Sequence, residues 1–379
     1  MKKQLHQNTS FLVVVALTLS ACQVVQETPR SQVTISMVYG SEKREWLEPL
    51  VAQFNREGHQ TDSGATIVVE AVPMGSLEPI PLMLVSQLQP TVWSPASSVY
   101  IPVANAEWRK QFGRDLVIGT PNDLVYSPVV IAMWKPMAEA LGWPDKPLGW
   151  ADIATLMASN DGWAAYGYPE WGQFKFGQTH PTVSNSGIVS VLARAYTGAN
   201  KQSDLTLEDI HNPEVVEFLA ELQNAIVHEG LSTGVFAERM FQNGPAYLSA
   251  AVLYENLIVA QEAKRLSTRD LRHWTVEQIP IVAIYPKEGT FWTNNPYVLV
   301  NAPWVTNEQR AAAAEFEQFL LDRPQQLKAL ALGFRPVDDS IPLTSPLDAR
   351  HGVNVDHPLI ILELPPADVV KAAQRLWSR

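Results

Sequence analysis

The sequence predicts an α/β fold, and three stretches carry that expectation. Val33 to Tyr39 alternates β-branched residues and reads as a strand, Gly40-Ser41-Glu42-Lys43 makes a turn, and Trp46, Leu47, Leu50, Val51 and Phe54 then form one apolar helical face. A strand, turn and amphipathic helix in that order open an α/β unit, in which ligands sit at the carboxyl ends of strands. Leu124 to Trp134 is a long apolar run suited to a fully buried strand, and the polar connection Pro286 to Pro296 lies between two further strand-like runs, 279–285 and 297–300. We expect these two stretches to cross between lobes, because 379 residues can bury a core of that size.

The chain opens with an address. Lys2 and Lys3 precede an apolar run from Phe11 to Leu19, too short to cross a membrane, and Leu19-Ser20-Ala21-Cys22 closes it with small residues, as in a secretory signal peptide. Residues 1–21 are therefore expected to be removed and 22–32 to form a polar tether. Cys22 is the one cysteine in the chain, so no intrachain disulfide and no Cys-based metal site can form. The net charge is −11, and −13 once the two leader lysines are gone, a surface that repels nucleic acid and anionic lipid.

Turn and cap signals place the remaining elements. Pro49 is awkward inside a helix, so the regular part of the first helix is expected to begin near Trp46, with Ser41 and Lys43 in the loop before it. Lys43 there is a ligand contact or a solvated charge. A second strand runs from Ala65 to Val72, a helical stretch from Pro79 to Leu88, and the hydroxyls Ser97 and Ser98 follow a strand end as ligand donors or a plain cap. Helices are expected at 184–197, 213–229, 235–242 and 245–262, a long helical region at 311–332 broken near Pro324, a turn at 333–336, and an amphipathic helix at 367–377.

The richest stretch is Phe176 to Gly187, Phe-Gly-Gln-Thr-His-Pro-Thr-Val-Ser-Asn-Ser-Gly, followed by apolar residues at helical spacing. Ser184 is a natural N-cap, and the N–H groups of Asn185, Ser186 and Gly187 would point outward at the positive end of the helix dipole, with Gly187 letting a ligand approach the backbone. Either Thr179 to Gly187 forms a site for an anion or a polar oxygen, or Ser184 merely caps a helix after an ordinary loop. The nucleophile elbow, the zinc helix, the P-loop and the calcium-hand loop are all missing from the sequence. His180 lies in the one plausible site but is more ordinarily a structural hydrogen-bonder, and Glu42, Glu170 and Glu255 are acids that nothing in the sequence brings together as a catalytic pair.

These residues carry a family resemblance. The lipobox-like Leu19-Ser-Ala-Cys22, Gly40-Ser-Glu-Lys43, Ser127-Pro-Val-Val-Ile-Ala-Met-Trp-Lys135, Phe176 to Gly187, Tyr254-Glu-Asn256 and Tyr285-Pro-Lys-Glu-Gly-Thr290 occur in the order seen in bacterial extracellular solute-binding proteins of ABC transporters. The sequence most resembles the branch related to molybdate-, sulfate- and phosphate-binding components, including lipoproteins found beside von Willebrand A-domain proteins. The resemblance implies a type II periplasmic-binding fold of two α/β lobes, 33–125 with 297–379 and 126–296, closing on a ligand. It implies a cleft lined by Ser41, Lys43, Ser97, Ser98, Ser127, Thr179, His180, Ser184, Asn185, Ser186, Gly187, Tyr254 and Glu255.

It further implies a monomeric, non-enzymatic lipoprotein, acylated on Cys22, that binds a small polar solute, an oxyanion above all, for a membrane permease on the periplasmic side. No cofactor or resident metal is expected. Glu255 departs from a simple oxyanion site, since a buried carboxylate beside an anion is costly unless protonated or paired, for instance with Lys43. A divalent cation or a small organic amine therefore stays open as ligand, and so does a docking lipoprotein that uses the same fold to bind a protein partner.

Overall fold

The computed structural model describes residues 31–267 and 278–377, so the expected leader and Cys22 lie outside the described residues. Twelve strands are present among them. They are β1 (Gln32–Gly40), β2 (Thr66–Met74), β3 (Val92–Ser94), β4 (Asn122–Asp123), β5 (Val125–Trp134), β6 (Phe176–Thr179), β7 (Ile226–Gly230), β8 (Ala250–Tyr254), β9 (Ile281–Ile284), β10 (Trp292–Thr293), β11 (Pro296–Leu299) and β12 (Arg335–Pro336). They make two sheets. The first has the order β2-β1-β3-β11-β4, with β1 parallel to β2 and β3 and β11 antiparallel to its neighbours. In the second, β8, β6 and β7 run parallel to one another and β5 is antiparallel to β8, with β9, β10 and β12 also on β5.

Two lobes follow, one around each sheet, joined where the chain passes from β4 into β5 and from β10 into β11. The crossings are ladder partners: Thr293 faces Ser127 in the second sheet, and Pro296 faces Asp123 in the first. The apolar composition of Val125–Trp134 fits its place, since all but Tyr126 are buried there. Loops that follow parallel strands of the two sheets meet at the junction, as Ser41 after β1 and Ser232 after β7 do.

Several local expectations are revised. Helix Arg44–Glu57 begins straight after a 3-10 turn at Ser41–Lys43, so Pro49 sits inside it, at the sixth position, rather than in its first turn. The missing N–H forgoes the bond to the Glu45 carbonyl, while burial of Trp46, Leu47, Leu50 and Phe54 holds the helix together. The expected helix 213–229 ends at Asn224 and the chain turns into β7, which is edge-like, with Val227 exposed. The expected helix 245–262 contains the buried strand β8 before helix Glu255–Ser267. Its Ala-Ala-Val-Leu-Tyr run is apolar all round, a pattern that periodicity alone cannot assign. The expected turn 333–336 includes β12, which pairs with Val125 and Tyr126 of the first crossing.

The C-terminal helix Ala367–Trp377 buries Val369, Val370, Ala372, Ala373 and Trp377. It packs against helix Tyr100–Phe112 of the first lobe and against helices Asn185–Gly198, Leu207–His211 and Pro213–Asn224 of the second. Lys371 pairs with Glu107 on the one side, while Gln374 donates to the Pro181 carbonyl at 3.2 Å on the other.

Candidate functional site

The loops that follow the parallel strands meet between the lobes. Ser41, after β1, and Ser232, after β7, share a hydroxyl hydrogen bond of 2.5 Å across the junction. The Leu77 N–H, after β2, reaches the Val183 carbonyl at 3.5 Å, and a Cβ on Gly75 would fall 2.8 Å from that same oxygen. Gly75 thus permits a backbone-to-backbone approach that no larger residue allows.

On the second lobe, Thr233 is the hub of a hydroxyl network. Its Oγ1 lies 3.1 Å from the Ser184 hydroxyl, 2.9 Å from Ser186 and 3.2 Å from the Tyr254 phenol, and Ser186 is also 2.8 Å from Thr179. All five residues are buried. The Ser186 backbone N–H and the Asn185 side chain both face the Tyr254 phenol, so the first turn of helix Asn185–Gly198 is directed at that oxygen. Burial pushes the Tyr254 phenol above its ordinary range, with the Glu42 carboxylate adding to the effect. Tyr100, at the start of the helix after β3, is raised for the same first reason, with Tyr254 and Glu42 next. The Glu42 carboxylate thus acts on both phenols.

The turn Ser41–Lys43 carries a buried ion pair. Lys43 is fully buried and donates to Glu42 at 2.6 Å and to the Asn295 carboxamide at 2.8 Å. Burial lowers the Lys43 pKa, opposed by the Glu42 carboxylate. The Glu42 carboxylate folds back over Gly40, where a Cβ would lie 2.2 Å from one of its oxygens and oblige that side chain to shift. Asn295 in turn donates to the carbonyls of Val125, at 3.0 Å, and Thr293, at 3.1 Å, so Lys43 is wired to both crossings. Ser41, Glu42 and Asn256 line a pocket that continues outward past Phe241, Leu257 and Phe334.

The protein's own bonds leave polar capacity here. The Asn256 Oδ1 and the Tyr100 hydroxyl are buried with no hydrogen-bond partner among the described residues, and the buried Asn185 amide has none beyond its approach to the Tyr254 phenol. An unmatched buried polar group costs roughly 1–3 kcal/mol, so a cluster of them marks a place built to be completed.

Of the expected site residues, the structure brings together Ser41, Lys43, Thr179, Ser184, Asn185, Ser186 and Tyr254. Ser184 stands at the helix N-cap with extended backbone angles, but its hydroxyl makes no capping bond and goes to Thr233 instead. Gly187 admits protein rather than ligand: a Cβ would fall 2.2 Å from the Thr179 carbonyl oxygen, so the glycine lets the helix abut the strand end. Lys43 is neither solvated nor partnered with Glu255.

The others are engaged elsewhere. Ser97 accepts the Val99 N–H at 3.2 Å, next to the start of the following helix, and the Ser98 N–H donates to Asn294 at 2.8 Å. Ser127 accepts the Asn256 N–H at 3.1 Å, in the first turn of the helix after β8. The His180 Nδ1 lies 2.8 Å from the Thr182 hydroxyl, within its own loop. Glu255 is clamped by Arg335 through two bonds of 2.8 Å and receives the Tyr285 hydroxyl as well. No group of three or more His, Cys, Asp or Glu among the described residues is arranged to hold a metal ion.

Glu42, Tyr100, Ser232, Thr233, Asn256 and Asn295 were not among the expected site residues. Ser232-Thr233 follows a strand end and opens helix Thr233–Asn243, a signal hidden by reading 213–229 as continuous helix.

A family model described as bacterial extracellular solute-binding protein matches residues 35–335. The chain belongs to that family. This solute-binding chain is also 24% identical over 265 residues to two uncharacterized proteins of Mycobacterium tuberculosis, covering 68% of the chain but only 35% of each relative. It thus spans about a third of the length of the curated relatives it matches. Among solved structures, it is similar to a periplasmic thiamin binding protein at TM-score 0.60 and 13% identity, over 93% of this chain and 99% of that one. The sulfate-binding protein SubI from Mycobacterium tuberculosis aligns at 0.51 and 18%, over 82% and 88%, and a ferric binding protein from Campylobacter jejuni at 0.55 and 11%, over 91% and 98%.

These likenesses establish the type II periplasmic-binding fold, two α/β lobes with a cleft between them. The family and these structural neighbours are binding proteins, and membership in an extracellular family puts the site outside the cytoplasm. Among the described residues no helix is long and apolar enough to cross a membrane.

Proposed function

We propose that this protein is a lipid-anchored, extracytoplasmic receptor that captures a small polar solute between its lobes and presents it to an ABC permease. The observation that carries the reading is the convergence, from strand ends of both sheets, of buried polar groups with unspent hydrogen-bonding capacity: Asn185, Asn256 and Tyr100 around the Glu42–Lys43 pair. In this reading lobe 1 is 33–125 with 297–379 and lobe 2 is 126–296, with β12 of the returning chain laid on the second sheet and the C-terminal helix spanning both lobes, and Ser41–Ser232 is a contact of the closed form. Closure dries the ligand and lets donors from both lobes act on it at once. Cys22 supplies the anchor, a single chain suffices for capture, and residues 22–32 set its reach from the membrane.

The test is retention. The full chain is exposed to a metabolite extract, washed, unfolded, and the released small molecules are weighed by mass spectrometry. The receptor reading expects one compound at close to one per chain, and membrane release when Cys22→Ala is introduced. A chain that retains no small molecule but does capture an envelope protein is instead a docking lipoprotein.

A further inference from the structure

We propose that the solute carries no net charge and is rich in hydroxyl groups, a sugar or polyol rather than an inorganic oxyanion. The inference rests on the receptor reading above and narrows its ligand.

Charge balance is the first argument. The fully buried Lys43 is matched within hydrogen-bond distance by Glu42, so neither is left to answer a charge on the ligand. Toward the pocket mouth Lys264 lies 3.5 Å from Glu45 and Arg44 lies 3.7 Å from Glu48, with Glu238 also on the lining. With the buried pair included, the cations Lys43, Arg44 and Lys264 stand beside four carboxylates, Glu42, Glu45, Glu48 and Glu238, so no cation is left over for an anion. A net anion brought into this space would face Glu42, and a net cation would face Lys43, each partly desolvated and poorly screened.

The helix that begins at Asn185 does not reverse this. Its positive end favours negative charge, but the Ser186 N–H is already directed at Tyr254, and Glu42 already acts on that phenol. The buried guanidinium of this helix, Arg194, is nine residues from Asn185, about 13 Å along the axis, and is held by Gln178, Ser190 and the Trp377 ring, with only its Nη1 left unpartnered among the described residues.

Hydrogen-bond polarity is the second argument. An unprotonated oxyanion only accepts. The Asn185 amide, whose side chain faces the Tyr254 phenol, carries one donor and one acceptor end whichever way it is turned, and the Tyr100 hydroxyl offers both roles at once. Acceptor oxygens set against an oxyanion would be repelled. Hydroxyl groups, which donate and accept, satisfy every one of these atoms. Burial of Tyr100 and Tyr254 as neutral phenols suits the same partner.

The experiment titrates the full chain, by calorimetry and thermal shift, with glucose, maltose, inositol and glycerol on one side and sulfate, phosphate and molybdate on the other. A saturable signal from a neutral compound is expected, weakened tenfold or more by Asn185→Ala and by the milder Tyr100→Phe, with none from the anions. Saturable binding of an anion by the parent chain overturns this inference and leaves the receptor reading standing. Should the metabolite extract yield a retained compound that is charged, the inference falls in the same way. A chain that answers no probe and retains no compound overturns both.

Discussion

Two carboxylates are buried against cations near the junction of the lobes, and they are bonded differently. Glu255 holds Arg335 through two parallel bonds, accepts a third from Tyr285, and the guanidinium lies 5.2 Å over the Trp292 ring. Burial works against the Arg335 charge, yet the Glu255 bonds outweigh it and hold its pKa above the ordinary value. Glu42 holds Lys43 through one bond, in a turn that also lines a pocket. The first pair is saturated and ties β12 to the helix after β8. The second keeps capacity in hand, and its neighbours Asn185, Asn256 and Tyr100 keep more. A saturated pair serves structure, whereas an unsaturated one can serve recognition.

The sharpest way to break this comparison is to unpair each. Arg335→Ala strands Glu255 and should cost about 3–5 kcal/mol in chemical denaturation while leaving ligand preference intact. Lys43→Met should cost less, about 1–3 kcal/mol, since Glu42 borders a pocket through which water can reach it, but should reduce ligand affinity the more. Equal stability losses, or a larger ligand effect from Arg335, would remove the distinction.

Gly187→Val tests whether the helix start is set by packing. Because the Cβ meets backbone oxygen rather than a flexible side chain, a loss of about 1–3 kcal/mol is expected, with weaker binding as a consequence of the displaced helix. A fully stable variant with abolished binding would return Gly187 to the ligand.

Alkaline titration supplies a control. Burial first, with nearby carboxylates adding, pushes the Tyr39 phenol up to about 12, and burial does the same for Tyr196, against an ordinary 10. The folded values exceed the unfolded ones, so this contribution to stability is complete below pH 10 and is lost as pH rises through about 12. Phenolate absorbance should therefore lag behind that of the unfolded chain in the parent and in both pair variants alike. The smallest effect belongs to Ser184→Ala, about 1 kcal/mol, since its hydroxyl gives up a bond to Thr233 and no helix cap.

Much of this was legible in the chain itself. The opening strand and helix, the buried crossing at Leu124–Trp134 and the polar return at Pro286–Pro296 were written in alternation and in apolar runs. The helix start at Ser184 was equally plain. Two things were hidden. An apolar strand such as Ala250–Tyr254 has no period to distinguish it from a helix, and β7 continues a helical pattern for several residues. The partners of charges were the other: sequence distance says nothing of Arg335 meeting Glu255 eighty residues away, or of Lys43 being wholly buried beside its own neighbour. For the same reason Tyr100, Thr233 and Asn256 came to the site only through the topology that gathers strand ends.

The C-terminal helix bears on how this protein is made in the laboratory. The family match stops at residue 335, and a fragment trimmed there would look complete on paper. It would lose Val369, Val370, Ala373 and Trp377, which cover apolar surface on both lobes, and would release Glu107 and Pro181 from their partners. Such a fragment should express as aggregate. A purification handle is better placed ahead of Gln32 than after Arg379, two residues from a tryptophan whose backbone and ring are both bonded.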